Sequence, residues 1–208
     1  MSGTERGPNA GRSYWPADRC MPVLDQTIGE ALRSAVTNFG GRTALTEGVA
    51  DKPRRWTYID LLSQAEAAAR ALLKRFQPGE HVAIFAANGP EWVLLEFGTA
   101  LAGLTLVTVN PALLASEVAY VLGQSQASGV IVQPRYRGRD LVAVVGDARA
   151  GLPLLREVIV LDDWQAFLAG AADVTHCHAC DRSTSRRSST RPAPRAFLRG
   201  QHPSGPRQ

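Results

Sequence analysis

Short apolar runs alternate with amphipathic helical periods from Gly79 to Leu161, and this alternation limits the fold more than any other feature of the chain. The apolar runs begin at His81, Leu104, Gly129 and Val158, and the segments between them are long enough to hold helices. Strands that alternate with helices form parallel βαβ units with right-handed crossovers. The sequence therefore predicts an α/β fold, with a partial doubly wound sheet and flanking helices.

Local start and stop residues set the bounds of these elements. Asp25 or Thr27 is the expected N-cap of the first helix, and Asn88 is the expected cap of a later helix that has Pro90 in its first turn. The β-branched run 104–109 predicts a buried strand. The predicted helices cover residues 27–38, 61–73, 89–102, 116–122 and 138–148, and the predicted strands cover residues 43–46, 55–58, 81–86, 104–109, 129–132 and 158–161.

Composition changes near residue 174. Residues 175–208 contain seven of the 23 Lys and Arg residues, three of the four His residues and two of the three Cys residues, and they show no hydrophobic periodicity. The formal net charge of +4 is therefore a property of this tail, because residues 1–174 carry a net charge of −2. We predict a flexible N-terminus over residues 1–24, a folded body over residues 25–174, and a disordered tail over residues 175–208.

The sequence also indicates the compartment. The first nineteen residues lack the apolar stretch of a signal peptide, and no run approaches the roughly 20 apolar residues of a membrane span. Three cysteines, at positions 20, 177 and 180, form no disulfide framework. These observations predict a cytoplasmic protein without a membrane span.

The body contains no cluster of residues typical of catalysis. His81 begins a strand without a second metal ligand near it, and Gly89-Pro90-Glu91 lacks the GxGxxG spacing of a dinucleotide-binding turn. Trp56, Tyr58 and Trp92 are interpreted as packing residues. We therefore predict no catalytic, cofactor-binding or metal-binding residue in this chain.

Four segments of the body resemble the N-terminal part of the adenylate-forming (AMP-binding) enzymes, and the fatty-acyl-CoA synthetases look most similar. The segments are DQTIGEAL (Asp25–Leu32), RWTYIDLLSQAEAAARAL (Arg55–Leu72), GEHVAIFAANGPEWVLLEFGTALAGLTLVTVNP (Gly79–Pro111) and SEVAYVLGQSQASGVIV (Ser116–Val132). They occur in the family's order and cover most of Asp25–Leu161. The resemblance assigns residues 25–174 to the N-terminal portion of an AMP-binding, acyl-CoA synthetase domain.

The resemblance implies a parent enzyme that activates a fatty or other carboxylic acid with ATP to an acyl-adenylate and then transfers the acyl group to coenzyme A. ATP, Mg²⁺ and CoA are the implied cofactors of that parent. In the family, a Ser/Thr/Gly-rich phosphate-binding loop and all later catalytic motifs follow the portion matched here. We therefore expect this chain to be a truncated, inactive fragment without a cofactor of its own, and a separately encoded C-terminal remainder is one potential partner.

The tail has a second interpretation in another reading frame. The family pattern predicts a phosphate-binding loop of the type YTSGTTGxPKG soon after residue 175. A choice of synonymous codons exists for Asp181–Gly200 that, read from the third base of each codon, gives PVDLAQIQYTSGTTGFPKG. Residues His176–Cys180 give LPRLR in the same frame. We interpret residues 175–208 as a frame-shifted tail, whether the shift is a mutation, a pseudogene or a sequencing error.

Two alternatives depend on the tail as it is written. A zinc-binding protein would use His176, Cys177, His178 and Cys180, but one CxxC with adjacent His and no second ligand pair is a weak metal signature. A noncatalytic α/β interaction module would use a basic tail. We predict no nucleic-acid partner, because neither a nucleic-acid-binding fold nor interleaved aromatic residues accompany the arginines at positions 182, 186, 187, 191, 195 and 199.

Overall fold

A computed structural model describes residues 24–48, 53–162 and 164–169. The predictions of a flexible segment before residue 24 and of a disordered, frame-shifted tail lie outside these residues. The helices of the described residues are α1 (Ile28–Phe39), α2 (Tyr58–Leu73), α3 (Pro90–Leu101), α4 (Ala115–Gln124), α5 (Leu141–Arg149) and α6 (Trp164–Ala169). Its strands are β1 (Thr43–Thr46), β2 (Arg55–Thr57), β3 (His81–Phe85), β4 (Thr105–Val109), β5 (Gly129–Val132), β6 (Arg135–Tyr136), β7 (Arg139–Asp140) and β8 (Glu157–Val160).

The centre of the fold is a four-stranded parallel sheet with the order β4-β3-β5-β8. The chain places β4 on one side of β3 and then returns to place β5 and β8 on the other side. Two small antiparallel pairs, β1 with β2 and β6 with β7, lie outside this sheet. Among the described residues, no helix combines the length and the apolar character that crossing a membrane would require.

Side chains of the parallel sheet alternate between two hydrophobic layers. Val82 and Ile84 of β3 belong to the layer that includes α1, α2 and α3, whereas Ala83 and Phe85 belong to the layer that includes α4 and α5. All four side chains are fully buried. Because both faces of the sheet are covered by helices, the predicted doubly wound arrangement is confirmed.

Most predicted elements are confirmed within one to three residues. Thr27 is the N-cap of α1: its hydroxyl accepts the backbone N–H of Glu30, and the Glu30 carboxylate accepts the backbone N–H of Thr27. This reciprocal pair satisfies two backbone donors at the start of the helix. Trp56 is buried in β2, and the partly buried Tyr58 begins α2, as expected of packing residues.

Three local predictions are wrong. The N-cap of α3 is Gly89 rather than Asn88, with extended backbone at φ −165° and no side-chain cap. Helix α5 begins at Leu141 after the β6–β7 hairpin, because Arg137 (φ 50°) and Gly138 (φ 82°) form a turn that a helix cannot contain. Strand β4 was expected to be buried, but it lies at the sheet edge and only Val109 of its five residues is buried.

Gly129 at the start of β5 is required by a close approach to Phe76, which is completely buried. A Cβ atom at position 129 would overlap Cζ and Cε1 of the Phe76 ring. Gly146, in α5, has no such neighbour within 4 Å. Substitution of Gly129 therefore reports the effect of close packing, whereas substitution of Gly146 reports helix propensity.

We expect Gly129→Ala to lower the free energy of unfolding by about 1–3 kcal/mol, because the added methyl group displaces the Phe76 ring. The matched Gly146→Ala should raise it by about 0.5–1 kcal/mol, since alanine is the better helix former at an open position. Thermal unfolding followed by circular dichroism measures both. Equal effects of the two substitutions would contradict the packing described at Phe76.

An ion pair connects the residue before β8 with the loop before β3, at the amino-terminal ends of these strands. The Arg156 guanidinium donates to both carboxylate oxygens of Glu80, at 2.7 and 2.6 Å, and it lies over the Phe76 ring at 5.4 Å from the centroid. The Gln77 backbone N–H donates to the same carboxylate at 2.7 Å. The Arg156 hydrogen bonds, with the Gln77 N–H adding to them, lower the pKa of Glu80 to about 2.

This lowered pKa makes the contribution of Glu80 to stability depend on pH. The folded state favours the ionised carboxylate, so the stabilisation is present above the unfolded pKa of about 4.3 and is lost as pH falls towards 2. We expect Glu80→Gln to lower the melting temperature at pH 7 by about 2–4 °C, which corresponds to on the order of 1 kcal/mol for a partly exposed pair. The difference from the unsubstituted protein should shrink below pH 4.

Asp147→Asn is the control, because Asp147 is exposed on α5 and forms no ion pair with the described residues. A Glu80→Gln difference that stays constant from pH 7 to pH 2 would refute the role given to the ionised Glu80.

Candidate functional site

The connections of the parallel sheet create one topological switch point. The chain leaves β3 through α3 on one face to reach β4, and it leaves β4 through α4 on the other face to reach β5. The loops after β3 and β5 therefore diverge at the carboxyl edge of the sheet. In open α/β sheets, ligands bind in the crevice that this divergence leaves.

A cleft of about 300 Å³ lies at this switch point. Its walls come from the segments that follow β3, β5 and β8, together with one side chain that follows β1. The lining residues are Glu47, Ala86, Ala87, Asn88, Gly89, Pro90, Glu91, Trp92, Gln133, Leu161, Asp162 and Trp164. The position and the lining make this cleft the candidate functional site of the described residues.

Gln133 holds the floor of the cleft together. Its side-chain Oε1 accepts the backbone N–H of Ala87 at 2.9 Å, and its own backbone N–H donates to the carbonyl of Phe85 at 3.1 Å. These two bonds continue the pairing of β3 and β5 beyond the last strand residues. The first residues of the diverging loop are thereby fixed relative to the neighbouring strand.

The amino-terminal end of α3 faces the same cleft. Gly89 is the N-cap without a side-chain hydrogen bond, and Pro90 occupies the first turn without an N–H group. The backbone N–H groups of Glu91 and Trp92 lie in the first turn, where a helix supplies no internal acceptor. This end of the helix is therefore a polar element of the cleft wall.

Carboxylates dominate the rim. Glu47, Glu91 and Asp162 line the cleft, and Arg54 is the cation that contacts two of them. Arg54 donates to Glu47 at 2.6 and 3.1 Å and contacts Glu91 at 3.4 Å, while its guanidinium lies 5.2 Å from the Trp56 ring centroid. The Arg54 hydrogen bonds lower the pKa of Glu47. Three carboxylates against one guanidinium leave the rim acidic, which disfavours a phosphate at this rim.

The residues that the sequence analysis weighed as possible site residues lie in different parts of the structure. Asn88 is exposed in the cleft, and Trp92 packs partly on the core while lining the same cleft. His81 begins β3 at the amino-terminal end of the strand, away from the cleft, where its Nδ1 donates to the carbonyl of Ser125. Among the described residues, no three His, Cys, Asp or Glu side chains are placed so that they could hold a metal ion together, and this includes the three carboxylates of the rim.

Gln133 and Arg54 were not singled out from the sequence. Gln133 directly follows the apolar run of β5, and a polar residue immediately after a buried parallel strand is the pattern that could have identified it. Arg54 acts through contacts with residues 7 and 37 positions away. No local pattern in the sequence predicts those contacts.

The chain matches the family model described as AMP-binding enzyme over residues 32–194. It is 34% identical over 136 residues to YngI of Bacillus subtilis, whose name places it among acyl-CoA synthetases, with 65% of this chain and 24% of that protein covered. It is 30% identical over 131 residues to the mitochondrial medium-chain acyl-CoA ligase ACSF2 of Rattus norvegicus, with 62% and 21% covered. The chain therefore spans about a quarter of the length of these relatives.

Solved structures give the same family. The N-terminal domain of FACL13 from Mycobacterium tuberculosis superposes with a TM-score of 0.62 at 27% identity, covering 71% of this chain and 37% of that domain. A fatty acyl CoA synthetase of the same organism gives a TM-score of 0.62 at 26% identity, covering 73% and 30%. The predicted resemblance to AMP-binding enzymes is confirmed.

We expect Gln133→Leu to loosen the cleft floor, because it leaves the Ala87 N–H without its acceptor. Loss of its partner costs a partly buried donor about 1–3 kcal/mol, so the Ala87 amide should exchange with solvent about fivefold to a hundredfold faster. Hydrogen exchange followed by NMR measures this rate.

Gln133→Glu is the matched control, since it retains an acceptor oxygen at the same reach and should preserve most of the protection. Unchanged exchange at Ala87 in Gln133→Leu would show that the side-chain bond does not hold the floor.

Proposed function

We propose, from the premise that this chain belongs to the AMP-binding enzyme family, that it is the N-terminal portion of an ATP-dependent acyl-CoA ligase. The parent enzyme joins the carboxylate of a fatty or related acid to the α-phosphate of ATP and releases pyrophosphate. The thiolate of coenzyme A then attacks the acyl carbonyl and displaces AMP. The support is the family match over residues 32–194 together with the acyl-CoA ligases among the relatives.

In this proposal the described residues supply the scaffold of the reaction rather than its chemistry. The parallel sheet fixes the switch-point cleft, and the acidic rim around Glu47 and Glu91 makes the cleft unsuited to hold the phosphates of ATP. ATP, Mg²⁺ and CoA are cofactors of the parent, and the portion described here holds none of them by itself. A compartment with reducing conditions, the cytoplasm, fits the cysteine usage.

In this proposal, the phosphate-binding loop is encoded by the codons of the tail in another reading frame. Read from the third base of each codon, Asp181–Gly200 can encode PVDLAQIQYTSGTTGFPKG. Successive backbone N–H groups of such a Gly/Thr loop, with its lysine, offset phosphate charge. Because the shifted codons share two bases with the residues present, few sequences permit this motif at this place. We therefore propose that the chain as written is inactive and that restoring the frame restores the loop.

The test compares two proteins made from the same gene. The 208-residue chain should release no fatty-acid-dependent pyrophosphate above background with ATP and Mg²⁺. Insertion of one base near codon 175 brings the third-base frame into translation through the loop, and this frame-restored protein, continued by the ligase sequence encoded downstream, should release pyrophosphate and form acyl-CoA.

The control replaces the lysine of the restored loop by alanine, which should reduce the rate by on the order of a hundredfold because a charge-stabilising group is lost. Pyrophosphate release by the 208-residue chain itself would contradict the proposal, as would a folded but inactive frame-restored protein. The second outcome would leave the family assignment in place and refute the frame shift.

A further inference from the structure

The segment that follows β5 makes hydrogen bonds to the loops that follow the other three strands of the parallel sheet. Gln133 accepts the Ala87 N–H of the loop after β3 at 2.9 Å. The Val132 carbonyl, at the end of β5, accepts the N–H of Leu161, which follows β8, at 2.8 Å. Arg139, in β7, reaches the loop after β4. The loops at the carboxyl edge of the sheet are therefore joined through this one segment.

Arg139 holds the loop after β4 by three consecutive carbonyl groups. Its guanidinium donates to the carbonyl oxygens of Ala112 and Leu113 at 2.8 Å each, and to that of Pro111 at 3.4 Å. The Asn110 side chain tightens the same loop by accepting the Ala112 N–H at 2.9 Å. Hydrogen bonds from a guanidinium are charge-assisted and stronger than those between neutral groups. A single side chain thus fixes the turn that leads from β4 to α4.

The hairpin that carries Arg139 has little strand pairing of its own. Strands β6 and β7 contribute two residue pairs, Arg135 with Asp140 and Tyr136 with Arg139. A two-stranded hairpin is marginally stable in water without further contacts. Tyr136 of the hairpin and Leu113 of the loop after β4 pack against the same hydrophobic layer. The contacts of Arg139 with that loop therefore hold the hairpin as well as the loop.

A stiff connection joins the hairpin to Gln133. Only Pro134 separates Gln133 from Arg135, the first residue of β6. The proline ring fixes φ of Pro134 near −65°, and its steric bulk restricts the backbone of Gln133 to extended conformations. Because little rotation is available at this connection, a displacement of the hairpin is transmitted to Gln133 and to its bond with the Ala87 N–H.

We propose that Arg139 is a positioning residue for the switch-point cleft. Its hydrogen bonds go to the loop after β4, and its effect reaches the cleft floor through the hairpin, Pro134 and Gln133. The contact of Arg139 with Ala112 and the contact of Gln133 with Ala87 are then coupled. Coupling between two sites is reciprocal, so breaking either contact loosens the other. The coupling concerns the body of the chain alone and does not depend on the reading frame of the tail.

The first test measures amide exchange by NMR in the 208-residue protein and in its Arg139→Ala variant. Exchange of the Ala112 and Leu113 amides should rise about tenfold to a hundredfold, because the turn that protects them loses its charge-assisted bonds. Exchange of the Ala87 amide should rise about twofold to thirtyfold, the range of coupling carried by intervening residues. Arg135→Ala is the matched control, because it removes the same charge from an exposed position of the same hairpin. An equal rise at Ala87 in this control would contradict the role given to the Arg139 contacts.

The second test separates positioning from a local loss of structure through rescue and reciprocity. Arg139→Lys keeps a cation that can donate to the Ala112 carbonyl, so it should recover part of the protection of Ala87. Gln133→Leu leaves Arg139 in place but should speed exchange at Ala112 and Leu113, whereas Gln133→Glu should not. In the Gln133→Leu background, Arg139→Ala should add little at Ala87, because the connecting side chain is already lost. If Arg139→Ala does not fold, Gln133→Leu decides, and unchanged exchange at Ala112 and Leu113 contradicts the coupling.

Two further results would overturn the proposal. The first is faster exchange at Ala112 and Leu113 in Arg139→Ala with no change at Ala87, because the guanidinium would then hold its own loop alone. The second is a rise at Ala87 no larger than that at the amide of Val130, which is fully buried in β5 and reports unfolding of the whole sheet.

Discussion

The structure depends on burying β3 and β5 on both faces. The side chains from Val82 to Phe85 and from Val130 to Val132 are fully buried, and alternate residues enter opposite layers. A strand of this kind cannot lie on a surface, so helices must cover each side of the sheet. Right-handed crossovers then force the chain to reverse its direction of travel between β3 and β5. The cleft exists because of that reversal.

The same constraint explains why the cleft is well positioned but chemically incomplete. Gln133 and Ala87 join the two diverging loops, and the first turn of α3 presents backbone donors to the space between them. The rim is nevertheless acidic, with Arg54 shared between Glu47 and Glu91. Binding a phosphate requires a sheet that positions the crevice and, separately, a segment that neutralises the phosphate charge. The described residues meet the first requirement.

The sequence predicted the sheet because buried parallel strands and amphipathic helices have distinct periods. It left Asp25 and Thr27 open as caps of α1, and Glu30, three residues after Thr27, is the signal that could have decided between them. The sequence-based prediction failed where contacts between distant segments determine the local structure. β4 resembles a central strand in composition, but its edge position follows from the order of the strands. The hairpin at Arg137 depends on a positive φ at a non-glycine residue. The site residues Gln133 and Arg54 act across distant segments, so no local pattern identified their contacts.

The central claim is that the phosphate-binding loop of an acyl-CoA ligase lies in a shifted frame behind this α/β body. Sequencing the genomic DNA from codon 165 to a few hundred bases beyond the stop codon tests it directly. The account predicts that codons 181–200, read from their third bases, spell the Gly/Thr loop and that the remainder of the ligase is encoded downstream. Synonymous codons that spell no such loop, with no ligase sequence downstream, would contradict it.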